Sequence, residues 1–434
     1  MILEDYIQEN VKKFPNKTAI IFSQQQISYK ELWERITKKC AELPKGETVV
    51  FRATQSIDFL IEYFALHLNG SIAVPLEKDT PEEKFLEISS LLKTTKTPAN
   101  TADILFTTGT TGKSKGVMIS NSTIIADAEN LIEGQLFDTD LAFIITGPLN
   151  HIGSLSKIYP VIIKGATLII TEGMKDVNSF FSAFELPFKK FATFLVPSAI
   201  RLLLQFSGER LKKVADKIDF IETGAAPISQ SDMQKLCEIL PQSRLYNTYA
   251  STETGIISTY NFNDGKCIEG CLGKPMSNSK IIITDEGLIS CTGKTIMSGY
   301  AGDEVLTSIV LKDNTIYTSD YGYLDENSML RLQGRQDDVI NISGYKVAPS
   351  EVESVVLSIK GILDCIVIGE NHSVFSTVLK LLYVSDDENI NKKTIAMYLK
   401  SRLEGYKIPL FYEKVSFIKR TFNGKLDRKF YRQQ

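Results

Sequence analysis

The sequence predicts a mixed α/β chain of two or more domains: a large N-terminal domain of largely parallel sheets, a small β-barrel-like region, and a small α+β domain at the C-terminal end. Three observations predict it. Strand-like and amphipathic helical runs alternate from residue 18 to about residue 250, and the strands read as buried. Near residue 275 the texture changes to short strands and turns. The last hundred residues form a third, separate pattern, and 434 residues suffice for several cores.

The elements follow in order. "TAIIF" and "ETVVF" read as strands, "YKELWERITKKCAEL" and "IDFLIEYFALHLN" as amphipathic helices, and "SIAVPL" as a further strand. "AFIITGPL", "ATLIIT", "KIDFIETGAA" and "RLYNTYA" continue as strands, separated by helical "SAIRLLLQF" and "QSDMQKLCEIL". "KIIITDEGLIS" and "TIYTSDYGYLDENSMLRLQG" supply the short-strand region. Beyond it, Ser350 and Glu353 fit a capping box opening a helix with Val352, Val355 and Val356 inward. Residues 1–334 are expected to form the N-terminal domain and 335–434 the C-terminal one.

Composition excludes several classes. A formal net charge of −3 and a pI near 5.9 give no general attraction for nucleic acid or anionic membrane. Of six cysteines only Cys267 and Cys271 lie close together, without a second pair or histidine nearby, so buried thiols are expected rather than zinc. The opening "MILEDYIQENVKKF" is charged throughout, unlike a signal peptide, and the apolar "YPVIIKGATLII" is interrupted by Lys164 and Gly165. The expectation is a cytoplasmic protein with no nucleic-acid partner and no membrane span.

"DILFTTGTTGKSKGVMIS", residues 103–120, suits a loop that approaches an anion, with small hydroxyls, glycines and two lysines. It is not a Walker A loop, because Thr107 stands where that motif needs glycine, and β-branched "VMIS" follows instead of a helix. The stretch resembles the T-S-G-T-T-G-x-P-K-G signature of the adenylate-forming (AMP-binding) superfamily. Further segments follow in that family's order: "PLNHIG", "TGAAPIS", "YNTYASTETG", "YTSDYGYLDE", "GRQDDVINISGYKVAPSEVE" and "RTFNGKLDR". The pattern is most similar to acyl-CoA and aryl-CoA synthetases and covers nearly the whole chain.

The resemblance implies αβαβα-type layering and a mobile C-terminal domain hinged near Asp337. It implies that Thr107, Thr108, Gly109, Thr110, Thr111, Gly112 and Lys115 handle ATP phosphates, a task suited to loop N–H groups and hydroxyls. Thr252 would contact the α-phosphate, and Glu253 would hold Mg²⁺, a hard cation bound through few protein oxygens plus phosphate. Tyr249 would lie on adenine, flanked by Gly224, Ala225 and Ala226. Asp320 would take the ribose hydroxyls, and Arg335 the ribose or phosphate. Lys425 would bridge carboxylate and phosphate during adenylation, while Gly344 would line the pantetheine tunnel and Lys346 contact coenzyme A.

Attack of a carboxylate on the α-phosphate of ATP brings two anions together, which explains the need for cations and aimed donors. The resemblance implies an AMP-forming carboxylate–CoA ligase acting on a small carboxylic acid with ATP, Mg²⁺ and coenzyme A. The alternative acceptor is the phosphopantetheine arm of an acyl-carrier protein. A degenerate nucleotide-binding protein is disfavoured because Lys115, Glu253, Asp320 and Lys425 are all present. His151 is assigned to the wall or gate of the acyl pocket, and the segment around it favours a plain acid over an amino acid. The chain departs from the pattern at Ser114, Ala250, Lys419 and Asn423, and it is short ahead of the phosphate loop, which leaves acid size and oligomeric state open.

Overall fold

The computed structural model describes residues 1–108, 114–174, 176–342, 345–372, 376–421 and 425–432. A 14-stranded sheet forms the backbone of the N-terminal part. Its centre is parallel: Thr167–Ile170, Leu141–Ile145, Lys190–Phe194, Ile218–Thr223 and Arg244–Ser251 lie side by side. "LAFII" and "TLII" are buried at every position, as strands covered on both faces must be. Alternation sorts the side chains: Phe220 joins one apolar cluster and Ile221 the other. Glu222 therefore shares the face of Phe220.

A five-stranded sheet runs in the order Gly299–Tyr300, Ser114–Ser120, Thr101–Thr108, Ile72–Glu77, Thr48–Ala53. One core cluster contains Phe51 and Leu105 from this sheet, Phe143 and Ile145 from the large one, and Leu60 and Leu155 from helices between them. The helices Ile57–Leu68, Asn121–Gln135 and Ile152–Lys164 thus fill the layer between two sheets, as the expected layering requires. Within that layer His67 bridges Glu4 (3.2 Å) and Asp103 (3.0 Å), and Tyr63 donates to Asp103 at 2.9 Å. Burial opposes the His67 charge, but the two carboxylates outweigh it and raise its pKa to about 10. The ion cluster ties the first helix to the strand Thr101–Thr108.

The short-strand region is antiparallel and continues the large sheet. Ser279–Ile283, Leu288–Gly293, Thr315–Leu324 and Leu330–Arg335 pair in turn, and Cys271–Pro275 joins them to Gly255–Asn261. The C-terminal part packs the helices Pro349–Leu357 and Lys392–Lys400 on the strands Ile362–His372, Ser376–Ser385 and Phe411–Lys414. The capping-box expectation fails here. Ala348 caps the helix without a side-chain bond and Pro349 begins it, as its fixed φ favours. Glu353 lies buried a turn further on, paired with Arg428 at 2.7 Å and accepting from the Val367 N–H. Among the described residues no helix is long and apolar enough to cross a membrane.

Candidate adenylation site

The site lies beyond the carboxyl ends of the parallel strands Lys190–Phe194, Ile218–Thr223 and Arg244–Ser251, where open α/β sheets place their ligands. On one side stands the hairpin Thr101–Thr108/Ser114–Ser120, with Thr107 opposite Lys115. Gly109, Thr110, Thr111 and Gly112, and the side chain of Thr108, fall outside the described residues. The Lys115 Nζ lies 5.6 Å from the Tyr300 ring centroid. The Tyr300 hydroxyl donates to Glu253 Oε1 at 3.0 Å, and the Met297 N–H donates to the Glu253 carbonyl at 2.8 Å. Tyr300 reaches this position because Gly299–Tyr300 pairs with Ser114–Ser120. Burial, then Glu253, raises its pKa. Sequence reading missed Tyr300, and "SGYAG" offers little signal for it.

Thr252 and Glu253 sit in the turn just past Ser251, as expected, and Thr252 is buried. Tyr300 engages only one oxygen of Glu253, so the carboxylate suits a hard cation shared with phosphate oxygens. Among the described residues no group of three or more His, Cys, Asp or Glu is placed to hold a metal.

The residues expected to face the nucleoside are built on a cross-strand pair. Asp320 lies opposite Arg335, whose Nε is 2.9 Å from Asp320 Oδ1. The other oxygen, Oδ2, accepts from the Tyr249 hydroxyl at 2.8 Å. Burial and then Asp320 push the Tyr249 phenol well up, so it stays a neutral donor. Ala225 has φ of +67°, a left-handed turn, and a Cβ on Gly224 would lie 2.9 Å from the Thr248 carbonyl. Gly224 is therefore required by close backbone approach, and half-buried Ala226 follows it along the rim.

Two further groups meet here. His151 caps the helix Ile152–Lys164, and its Nδ1 accepts from the Gly153 N–H at 3.1 Å. Burial, then the charge of Lys425, lowers its pKa to about 4, so at neutral pH the ring is neutral with its proton on Nε2. Lys425 arrives from the C-terminal part, where its carbonyl accepts from the Thr421 N–H (2.8 Å) and Leu426 bridges to Arg420. Burial and then Arg335 lower its pKa, while Asp320 and Glu253 pull it up. The ammonium is thus within electrostatic reach of His151, Arg335, Asp320 and Glu253. Gly344 and the side chains of Asp337 and Lys346 lie outside the described residues.

A layered α/β fold with these groups at its strand ends defines an adenylate-forming enzyme. The chain belongs to the AMP-binding enzyme family: the AMP-binding enzyme model matches residues 86–301, and the AMP-binding enzyme C-terminal domain model matches 351–425. It is similar to the putative long chain fatty acid-CoA ligase VraA of Staphylococcus epidermidis, at 26% identity over 98% of this chain and 96% of that protein. Among solved structures it is similar to ATP-bound MatB of Rhodopseudomonas palustris (TM-score 0.87, 21% identity, 100% of this chain and 99% of that one). It also resembles o-succinylbenzoate CoA synthetase (MenE) of Bacillus subtilis in complex with the acyl-adenylate OSB-AMP (TM-score 0.81, 22% identity, 98% and 97%).

Proposed function

We propose that this chain is an ATP-dependent carboxylate–CoA ligase that releases AMP and pyrophosphate. The observation that carries the reading is that the buried Lys425 ammonium lies within electrostatic reach of Arg335, Asp320, Glu253 and His151. A carboxylate oxygen forms a bond to the α-phosphorus, the bond to the bridging oxygen breaks, and pyrophosphate leaves. Lys425 and Arg335 offset the negative charge gathered at the α-phosphate, and Thr252 donates to it. Lys115 and the phosphate hairpin hold the leaving pyrophosphate. Bound at Glu253, Mg²⁺ would neutralise further phosphate charge. The neutral His151 closes the site toward the acid without taking its proton.

The second half-reaction needs Lys425 to withdraw, with the C-terminal domain (335–434) turning about Asp337 away from the N-terminal one (1–334). Gly344 then lines the path of the thiol and Lys346 meets a coenzyme A phosphate. The thiolate sulfur bonds to the acyl carbon and AMP leaves. The test is mass spectrometry after incubation with ATP, Mg²⁺, coenzyme A and a mixed pool of carboxylic acids. An acyl-CoA product supports the ligase. Acyl-adenylate without acyl-CoA refutes coenzyme A as acceptor and points to a carrier-protein thiol.

A further inference from the structure

The relatives' names span several kinds of acid, and the residues around His151 narrow the choice. The phenyl ring of Phe194, at the end of the strand Lys190–Phe194, lies between Gly153, two residues past His151, and Gly224. It stands 3.3 Å from where a Cβ on Gly153 would lie and 3.6 Å from where one on Gly224 would lie. Behind the ring, the Lys157 Nζ is 5.2 Å from its centroid. Lys157 follows Gly153 by four residues, just over one turn of the same helix, about 6 Å along the axis. Its ammonium donates to Glu222 Oε1 at 2.8 Å, with side-chain exposures of 1% and 0%.

Two features of this pair are unusual. Glu222 Oε2 is buried with no hydrogen-bond partner, a costly state for a carboxylate. Lys157 spends one hydrogen bond on Glu222, leaving donor capacity beside that oxygen. A hydroxyl placed there satisfies both, donating to Glu222 Oε2 and accepting from Lys157. A methylene chain would instead meet a charged pair. A second carboxylate or an ammonium would bring a charge that the near-balanced pair does not offset. The nearby Asp127 bonds the Ile256 N–H (2.8 Å), and burial raises its pKa to about 7, so it adds only part of a negative charge at neutral pH.

We propose that Lys157 and Glu222 form the far wall of the acyl subsite and select a short carboxylic acid bearing a neutral hydroxyl. The claim rests on the adenylation reading above and deepens it. It separates this chain from a long-chain fatty acid ligase, whose substrate needs an apolar channel where this ion pair stands.

ATP–pyrophosphate exchange tests it with matched acids: benzoate against the three hydroxybenzoates, butyrate against its 2-, 3- and 4-hydroxy derivatives, and octanoate and laurate. The best hydroxylated acid should exceed its parent at least tenfold in kcat/KM, with octanoate and laurate below both. Glu222→Gln should narrow that preference mainly through KM. The double variant Lys157→Met/Glu222→Leu, which strands no lone charge, should bring parent and hydroxylated acids level. An unsubstituted or long-chain acid matching the hydroxylated ones in the unaltered enzyme overturns the subsite, whether or not the variants fold. So does a folded double variant with its preference unchanged. Exchange with other acids but none of the hydroxylated ones overturns the subsite and spares the ligase. Exchange with no acid at all, across a broad pool, removes the ligase reading and the subsite with it.

Discussion

Replacing Lys425 by alanine separates the two half-reactions. In the structure the ammonium lies within electrostatic reach of Arg335, Asp320, Glu253 and His151. Lys115 stands by Tyr300 on the hairpin side, and Arg335 is tied to Asp320. Lys425→Ala therefore removes one cation of several, and the remaining two stay anchored by their own partners. Loss of one aimed stabiliser typically costs about 10²–10³ in kcat, or ~2.7–4 kcal/mol, and the presence of Arg335 argues for the lower end. ATP–pyrophosphate exchange should fall by about 10², while thioester formation from supplied acyl-adenylate should stay nearly unchanged. Because burial and Arg335 lower the Lys425 pKa, the alkaline limb of the exchange should lie below the ordinary lysine range and vanish in the variant. Equal losses in both half-reactions would refute the assignment, as would an exchange rate that alanine leaves intact.

Three further outcomes follow from the same geometry. Tyr300→Phe removes one hydrogen bond to Glu253, worth about 1 kcal/mol, so exchange should drop roughly fivefold with the melting temperature nearly kept. Asp364 accepts from Arg420 at 2.8 Å and from Arg201 across the two parts of the chain at 3.4 Å. Asp364→Ala should lower exchange about tenfold, the loss of a charge-assisted bond, and leave the thioester step alone in stopped-flow assays of each step. His67→Gln leaves Glu4 and Asp103 buried without their cation and should cost about 3–5 kcal/mol in denaturant unfolding. With a folded pKa of about 10 above the ordinary 6.5, His67 stabilises fully below pH 6.5. The gap between unaltered protein and variant should therefore close as pH rises through 10.

Much of this site is legible in the chain because adenylate chemistry uses compact local signatures. Thr252–Glu253 after "YNTYAS", Asp320 in "TSDYG" and Lys425 in "NGKLDR" each carry their context within a few residues. The alternation of "KIDFIETGAA" likewise reveals a buried strand, since period and apolarity are properties of the segment itself. What escaped are partnerships between segments far apart. Lys157 and Glu222 are 65 positions apart, and neither looks unusual alone. Tyr300 matters only because its two-residue strand pairs with the phosphate hairpin. The His67 cluster joins three separate elements. The misread capping box has the same origin: Glu353 fits the local pattern, but Arg428, 75 residues on, claims its carboxylate.

The central claim is that an acid's own oxygen attacks the α-phosphate at this site. The most direct measurement uses an acid identified by the product screen, labelled with ¹⁸O in its carboxylate, and weighs the AMP released with acyl-CoA. The account predicts AMP carrying one ¹⁸O atom and unlabelled pyrophosphate. Unlabelled AMP, or label appearing in any phosphate other than that of AMP, would contradict it.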